Sequence, residues 1–522
     1  MGFAPKESSV KKKFYVTTAI DYVNARPHLG TAYEKIGADC LARYKRLAGF
    51  DTYFLMGTDE HSTNVEREAR NLGKTPQAYT DEMAPVFERT WKTLLISYDQ
   101  FIRTTDPKHR RTVAALFEKI HERGYIYEGK YSGLYCDGCE EFKVEKDLVD
   151  GKCPRHHTVP KFIEEANYFF ALSKFSDRLK AHILAHPDFI RPDIRRNEIL
   201  NVIESGLDDV SVSRSGKTWG VPLPIAPDQV VYVWFDALIN YVSAIGYAEA
   251  GGIAGAALAK YWPPDVQIIG KDITRFHCLI WPAMLMAADI ELPLSVFGHG
   301  FVYSRGEKMS KTIGNIVDPI DLAGFFGADA LRYLLLREIA FDRDGDFTVE
   351  QFVARYNAEL ANELGNLFSR TLAMTHKFFG GEVPAWSDGA ATDTTRLLNN
   401  VLSDYRRHMD RLSFDQALAA VWRSVQDANR FIEERKPWAL AKAGNTSSNA
   451  RMVAARTEVL RAASIFCQPF MPSKAEAMRS LLGLDGDFAR LTLEDADRAG
   501  DVAWKRVGEP AVLFPRLEVP AH

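Results

Sequence analysis

Two strand–helix–strand patterns, far apart in the chain, limit the architecture more than any other feature. Phe14 to Ile20 is a short β-rich apolar run, followed by a loop with Asn24 and Pro27. Tyr33 to Leu47 then has helical spacing, with Ile36, Leu41, Tyr44 and Leu47 apolar against Lys35, Arg43 and Lys45. Gly49 ends that helix, and Thr52 to Met56 reads as a second strand. A strand returning through a helix must lie parallel to the first, so the sheet is predicted to be parallel. The alternation returns late, with Val266 to Gly270 as strand, Phe276 to Ala287 as helix and Ser295 to Phe297 as strand. Between the two halves, roughly Lys119 to Val231, cysteines, prolines and glycines break the pattern, which reads as an insertion splitting one α/β fold. From Val353 onward apolar residues recur at helical spacing: Leu360, Leu364, Leu367, Phe368 and Leu372, then Leu412 to Phe431, then Met452 to Phe470. That predicts a helix bundle, with Ala443 to Ala450 as a loop within it.

Composition narrows the class further. The 522 residues suffice for two to four domains, and 46% hydrophobic with 26% charged is ordinary for a soluble globular protein. A net charge of −4 shows no basic excess, although a local Lys/Arg patch can still bind phosphate. Met1 to Lys13 is polar and basic, without the apolar core of a secretory signal. No run is long and apolar enough for a membrane span, so a cytoplasmic location is expected. Cys40, Cys278 and Cys467 stand alone and read as small buried hydrophobes.

Two segments carry phosphate chemistry. Pro27-His28-Leu29-Gly30 lies after the first strand, where the next helix begins and where open α/β sheets bind ligands. Free backbone N–H groups there favour phosphate, Gly30 lets the backbone approach closely, and His28 can donate hydrogen bonds. Gly306-Glu307-Lys308-Met309-Ser310-Lys311-Thr312 reads as a flexible loop after the last predicted strand. Two lysines three apart suit charge developing on a leaving pyrophosphate. Each segment alone is an ordinary loop; together, one in each half, they predict an ATP site.

A third cluster suggests metal. Cys136-Asp-Gly-Cys139, thirteen residues, then Cys153-Pro-Arg-His156 has the spacing of a closed tetrahedral zinc site. One structural Zn²⁺ on Cys136, Cys139, Cys153 and His156 is expected, with His157 as a rival fourth ligand.

The paired segments resemble the His-Ile-Gly-His and Lys-Met-Ser-Lys-Ser signatures of class I aminoacyl-tRNA synthetases. The resemblance runs from Phe14 to about Phe470 and is strongest to the bacterial methionyl-tRNA synthetase family. It includes Gly57-Thr58-Asp59-Glu60-His61, Val233-Trp234-Phe235-Asp236-Ala237, Gly270-Lys271-Asp272-Ile273 with Phe276-His277, and Arg435-Lys436-Pro437-Trp438. Two positions depart from the family pattern: Thr31 where His is usual, and Thr312 where Ser is usual. Leucine, isoleucine and valine enzymes need a larger editing insertion than Lys119 to Val231 allows. A cysteine enzyme would place zinc in its substrate pocket, and a small-molecule nucleotidyltransferase has no use for so large a helical region.

The resemblance implies an α/β fold: a Rossmann-type parallel-sheet catalytic domain, split by a zinc-bearing connective insertion, then an α-helical anticodon-binding bundle. The corresponding division is 1–118, 119–231, 232–352, 353–480 and a C-terminal extension 481–522. It further implies ATP with Mg²⁺, L-methionine and tRNA(Met) as partners, serving initiation and elongation. His28, Thr31, Lys308 and Lys311 match catalytic positions, and Gly30, Gly270, Asp272 and Ser310 match further ATP contacts. Ala19, Ile20, Tyr22, Asp59, Trp234, Ala237, Leu238, Tyr241, Ile273 and His277 match the amino-acid pocket, with Asp59 on the substrate ammonium. Leu238 stands where some relatives carry Pro. Asn366, Arg370 and Trp438 match positions that read a CAU anticodon; Asn362, Asn366 and Arg370 fall at i, i+4 and i+8. The chain shows no appended tRNA-binding module of the kind that mediates dimerisation, so a monomer is expected.

Overall fold

The computed structural model describes residues 11–138, 141–143, 145–155, 157–248, 255–309, 316–386, 388–435, 446–484, 490–500, 502 and 504–520. A seven-stranded sheet is its centre. Lys13–Thr18 lies in the middle, paired in parallel with Asp51–Asp59 on one side and Val266–Gly270 on the other. Gln100–Arg103 and Asp21–Tyr22 extend the first side; Val296–His299 and then Ile190–Arg191 extend the second. Every one of these pairings is parallel, as the repeated strand–helix–strand pattern predicts. The central strands are covered on both faces, which is why Phe14 to Thr18 are all buried and show no polar alternation. The chain leaves Lys13–Thr18 towards one side and returns through Val266–Gly270 on the other. The strand order therefore reverses between these neighbours, and a crevice opens beyond their carboxyl ends.

Leu29–Leu47 forms the first helix, four residues longer at its start than the apolar spacing predicts. It is buried on nearly every face because the sheet packs one side and the C-terminal helices the other. Buried Asp39 and Arg332 join at 2.6 Å, and Arg332 also donates to the carbonyls of Leu94, Pro469 and Phe470. This arginine fastens the sheet to the helical region. Leaving either partner alone in the core would cost several kcal/mol, about 3–5 for a buried pair.

The stretch between the halves forms an antiparallel sheet of Glu141–Lys143, Ile126–Cys136, Lys161–Phe170 and Val210–Ser211, plus a three-stranded ribbon. Within that stretch Ile190–Arg191 returns to the edge of the central sheet. Val302–Ser304 and Glu307–Lys308 form a hairpin whose turn holds Gly306 at φ +78°. The expected loop therefore begins as β structure, because Gly306 supplies the left-handed turn residue that closes it.

Beyond Val349 the described chain is mainly helical: Val349–Arg355, Tyr356–Gly365, Asn366–Phe379, Asp388–Asp410, Phe414–Arg435, Thr446–Cys467 and Pro472–Leu481. Two expectations change here. Thr446 to Ala450, read as loop, is the first turn of a helix; residues 443–445 lie outside the described residues. Tyr356–Gly365 is a π-helix, so the i, i+4, i+8 alignment from Asn362 does not hold across it. The last described segment runs back over this region, with Phe514 edge-on to Tyr356 and Leu517 bonded through its backbone to both polar atoms of the Asn357 amide.

Candidate active site

A cavity of about 400 Å³ occupies the crevice at the sheet's reversal point. The expected pocket residues Ala19, Ile20, Tyr22, Asp59, Trp234, Ala237, Leu238, Tyr241, Ile273 and His277 all line it. So do the expected nucleotide residues His28, Gly30, Thr31, Gly270 and Asp272, together with Met309 from the lysine segment. Residues separated by more than 200 positions meet here because the two central strands end side by side.

At one end the first helix begins. His28, in extended conformation, caps it: Nδ1 accepts the backbone N–H of Gly30 at 3.1 Å and of Thr31 at 3.4 Å. An accepting Nδ1 places the neutral ring's proton on Nε2. Thr31 Oγ1 accepts the His28 N–H at 3.0 Å and donates to the His28 carbonyl at 2.8 Å, completing a capping box. The Leu29 N–H donates to Val317 O at 3.0 Å, tying this loop to the chain just after the lysine segment. Met309 reaches the same place, with its Cε 4.0 Å from where a Gly30 side chain would begin. The two segments expected to bind phosphate are thus neighbours. Ser310 and Lys311 lie outside the described residues, as does the Lys308 side chain.

The other end is aromatic. Trp234 stacks on Phe276 with ring centres 3.9 Å apart, and Tyr22 meets Trp234 edge-on at 6.0 Å. His277 Nδ1 donates to Ile273 O at 3.1 Å, so its Nε2 accepts the Tyr241 hydroxyl at 2.7 Å. Burial drives the His277 pKa down to about 4, against the opposing pull of the Ile273 carbonyl, so the ring is neutral. Asp59, buried at the end of its strand, is the acidic group of this wall. At the nucleotide end a Gly270 side chain would come within 2.8 Å of Asp272 Oδ1, so glycine keeps that carboxylate in place.

Several residues enter the site without having been expected. Buried Glu34 lies 2.7 Å from Lys35 Nζ and 3.0 Å from His299 Nε2. Burial alone would raise its pKa, but Lys35 and His299 outweigh that and hold it at about 2. Lys35 also reaches Asp21 at 3.0 Å and the Ala19 carbonyl at 2.7 Å, bracing the floor of the pocket. Arg155 projects from the cysteine-rich turn, and its Nη2 lies 3.0 Å from Asp272 Oδ2. Nothing local in the sequence signals Arg155, because the contact spans 117 residues. Glu34 does carry a signal, an acidic residue one turn after Gly30 on the helix that His28 caps.

Cys136 and Cys153 are both buried and pack against each other. The turn after Cys153 is closed by Cys153 N–H to Thr158 O at 2.9 Å and His157 N–H to Cys153 O at 2.8 Å. Cys139 and His156 lie outside the described residues, and among the described residues no three potential ligands cluster. In the helical region Asn366 is exposed and Arg370 pairs with Glu433 at 2.6 Å. Trp438 lies outside the described residues. No helix among the described residues is long and apolar enough to cross a membrane.

The family model for class I tRNA synthetases (M) matches residues 14–159 and 144–372, and that for the anticodon binding domain of methionyl tRNA ligase matches 383–516. The methionine–tRNA ligase of Caldanaerobacter subterraneus subsp. tengcongensis is 44% identical over 98% of this chain and 80% of its own length. That of Enterococcus faecalis is 43% identical over 98% of this chain and 78% of its own. The Mycobacterium tuberculosis methionyl-tRNA synthetase in complex with methionyl-adenylate superposes with a TM-score of 0.92 at 42% identity, covering 97% of this chain and 100% of that one. With the two signature segments meeting over one crevice and the likeness spanning both regions, the chain belongs to the methionine–tRNA ligases, a family of class I tRNA synthetases.

Proposed function

We propose that this crevice activates L-methionine with ATP and then charges tRNA(Met), and that the residues gathered in it divide the work as follows. The carrying observation is the single cavity joining the His28 cap, the Met309 segment and the Asp59–Trp234–His277 wall. Asp59 holds the substrate ammonium, and Tyr22, Trp234 and Tyr241 enclose the thioether, which packs favourably on aromatic faces. Gly270 and Asp272 hold the adenosine. The methionine carboxylate oxygen attacks the α-phosphorus, and the bond to the pyrophosphate oxygen breaks. His28, through its Nε2 proton, and Lys308 and Lys311 from the facing segment stabilise charge as it moves onto the leaving pyrophosphate. A hydroxyl of the tRNA's terminal ribose then attacks the acyl carbon and AMP leaves. No protein nucleophile is needed: positioning and charge stabilisation supply the rate. Mg²⁺ bound with ATP offsets phosphate charge.

Two buried, adjacent cysteines fit half of a tetrahedral zinc site, so one structural Zn²⁺ is assigned to Cys136, Cys139, Cys153 and His156. It would hold the turn from which Arg155 reaches Asp272. Asn366, Arg370 and Trp438 are assigned to the anticodon. Support for the divisions at 118 and 231 comes from the sheet's two halves flanking the antiparallel insertion, whereas those at 352 and 480 fall within Val349–Arg355 and Pro472–Leu481. A cytoplasmic monomer is part of the same proposal, and the mass of the full chain in solution tests the oligomeric state. The decisive experiment is amino-acid-dependent exchange of pyrophosphate into ATP across the amino acids. Methionine alone should support it, and no exchange with methionine would sink the reading. Metal analysis should find one zinc per chain, reduced in Cys153→Ser.

A further inference from the structure

Away from the crevice, a second cavity of about 570 Å³ opens in the helical region, between Asp388–Asp410, Phe414–Arg435 and Thr446–Cys467. Its wall holds an arginine in an unusual position. Arg456 is only 2% exposed, yet no carboxylate pairs with it among the described residues. Its Nη1 donates to Met452 O one turn back at 2.7 Å, and its Nε has no hydrogen-bond partner. Burial, with nearby Arg370 acting in the same sense, lowers its pKa to about 9. A buried charge without a counter-charge is expensive, so such a group marks a place where an anion is brought from outside.

The surroundings indicate which kind. The Arg456 guanidinium lies 4.7 Å from the Phe431 ring centre, and Arg435 lies 5.2 Å from the same ring. Exposed Arg451 stands at the rim, with Nη2 3.4 Å from Ser448 Oγ. The acidic wall residues already have partners: Asp427 pairs with Arg430 and Asp393 with Arg396 at 3.6 Å. Three arginines and one aromatic ring, in a cavity large enough for a nucleotide, match the way proteins hold unpaired RNA: cations on phosphate, flat groups against the base.

We propose that this cavity receives one unpaired nucleotide of the tRNA loop, its phosphate on Arg456 and Arg451 and its base against the Phe431–Arg435 pair. The inference rests on the reading that the helical region binds tRNA, but it adds a contact beyond Asn366, Arg370 and Trp438. The probes are full-length tRNA(Met) and an RNA hairpin of its anticodon stem and loop, bound to the full chain at a series of salt concentrations. The variants are Arg456→Met, Arg451→Ala and Phe431→Ala, each checked by thermal unfolding. Arg451→Ala and Phe431→Ala change partly or fully exposed side chains, so they decide the matter if Arg456→Met does not fold. Expected are a roughly tenfold weaker hairpin affinity and, for each arginine variant, a log-affinity slope against log salt shallower by about 0.7. A role in packing alone would not move that slope. Folded variants with unchanged affinity and slope would overturn the proposal. Failure of the wild-type chain to bind tRNA(Met) at all would instead overturn the underlying reading.

Discussion

Thr31 and His28 hold each other through three hydrogen bonds: Thr31 N–H to His28 Nδ1, His28 N–H to Thr31 Oγ1, and Thr31 Oγ1 to His28 O. The position where the family usually has histidine is thus not idle. Its hydroxyl proton is committed to the helix cap, and the cap in turn fixes the imidazole assigned to the phosphates. What the chain gives up in a second imidazole it recovers as a rigid first one.

Thr31→Ala is therefore expected to do two things at once. Losing a capping hydroxyl costs about 1 kcal/mol of stability, and a loosened His28 should slow methionine-dependent pyrophosphate exchange. Thr31→Ser, which keeps the hydroxyl, should restore both. Thr31→His adds a donor that the wild type lacks while removing the reciprocal bond, so exchange should quicken several-fold as the unfolding temperature falls. An unchanged exchange rate would mean that the departure from the family pattern is neutral.

Asp59→Asn removes the charge but not the shape at the end of Asp51–Asp59. A hydrogen bond between charged partners that becomes neutral loses about 2–3 kcal/mol. We expect kcat/KM for methionine to fall about a hundredfold in exchange assays, with KM for ATP little changed. An equal loss for both substrates would show that Asp59 supports the crevice as a whole.

How much of this site was legible beforehand depended on whether the signal was local. The Lys13–Thr18 and Asp51–Asp59 strands were readable because burial on both faces makes them continuous apolar runs, and the helix between them because its period is regular. The helix start was missed by four residues, since Leu29 to Ala32 follow a histidine cap, a type that the usual Ser, Thr, Asp and Asn rule does not flag. Lys35 reads as a polar helix position, yet it and Glu34 are both buried, because each neutralises the other and Asp21 and His299 complete the set. The π-helix at Tyr356–Gly365 left no compositional mark, and it shifts the register that Asn362 was meant to share with Arg370. Long-range ion pairs such as Arg155–Asp272 and Arg332–Asp39 arise only when the chain is folded.

Arg155 and Asp272 are 42% and 30% exposed, so their pair should be worth no more than about 1 kcal/mol. Arg155→Ala is then expected to alter KM for ATP by less than about fivefold. Asp272→Ala, which removes the group assigned to adenosine, should raise it by more than tenfold. Steady-state exchange at varied ATP separates the two. A larger effect from Arg155 than from Asp272 would mean that the arginine itself contacts the nucleotide.

His277 makes the methionine wall sensitive to acid, and the sign follows from its depressed pKa. The unfolded chain binds a proton near pH 6.5, whereas the folded ring does so only near 4. Between these values the unfolded state holds more protons, so stability rises with pH there. The contribution is complete above about 6.5 and is lost as pH falls through 4, a span of about 3 kcal/mol at 1.36 kcal/mol per unit. Protonation of the folded ring also removes the Nε2 lone pair that accepts the Tyr241 hydroxyl, so methionine binding should weaken only as pH approaches 4. Urea unfolding at pH 7, 5.5 and 4.5 checks this against His277→Gln, which has no proton to gain. The stability gap between wild type and variant should narrow steadily towards pH 4.5. A gap independent of pH would show that folding does not shift the pKa of the ring.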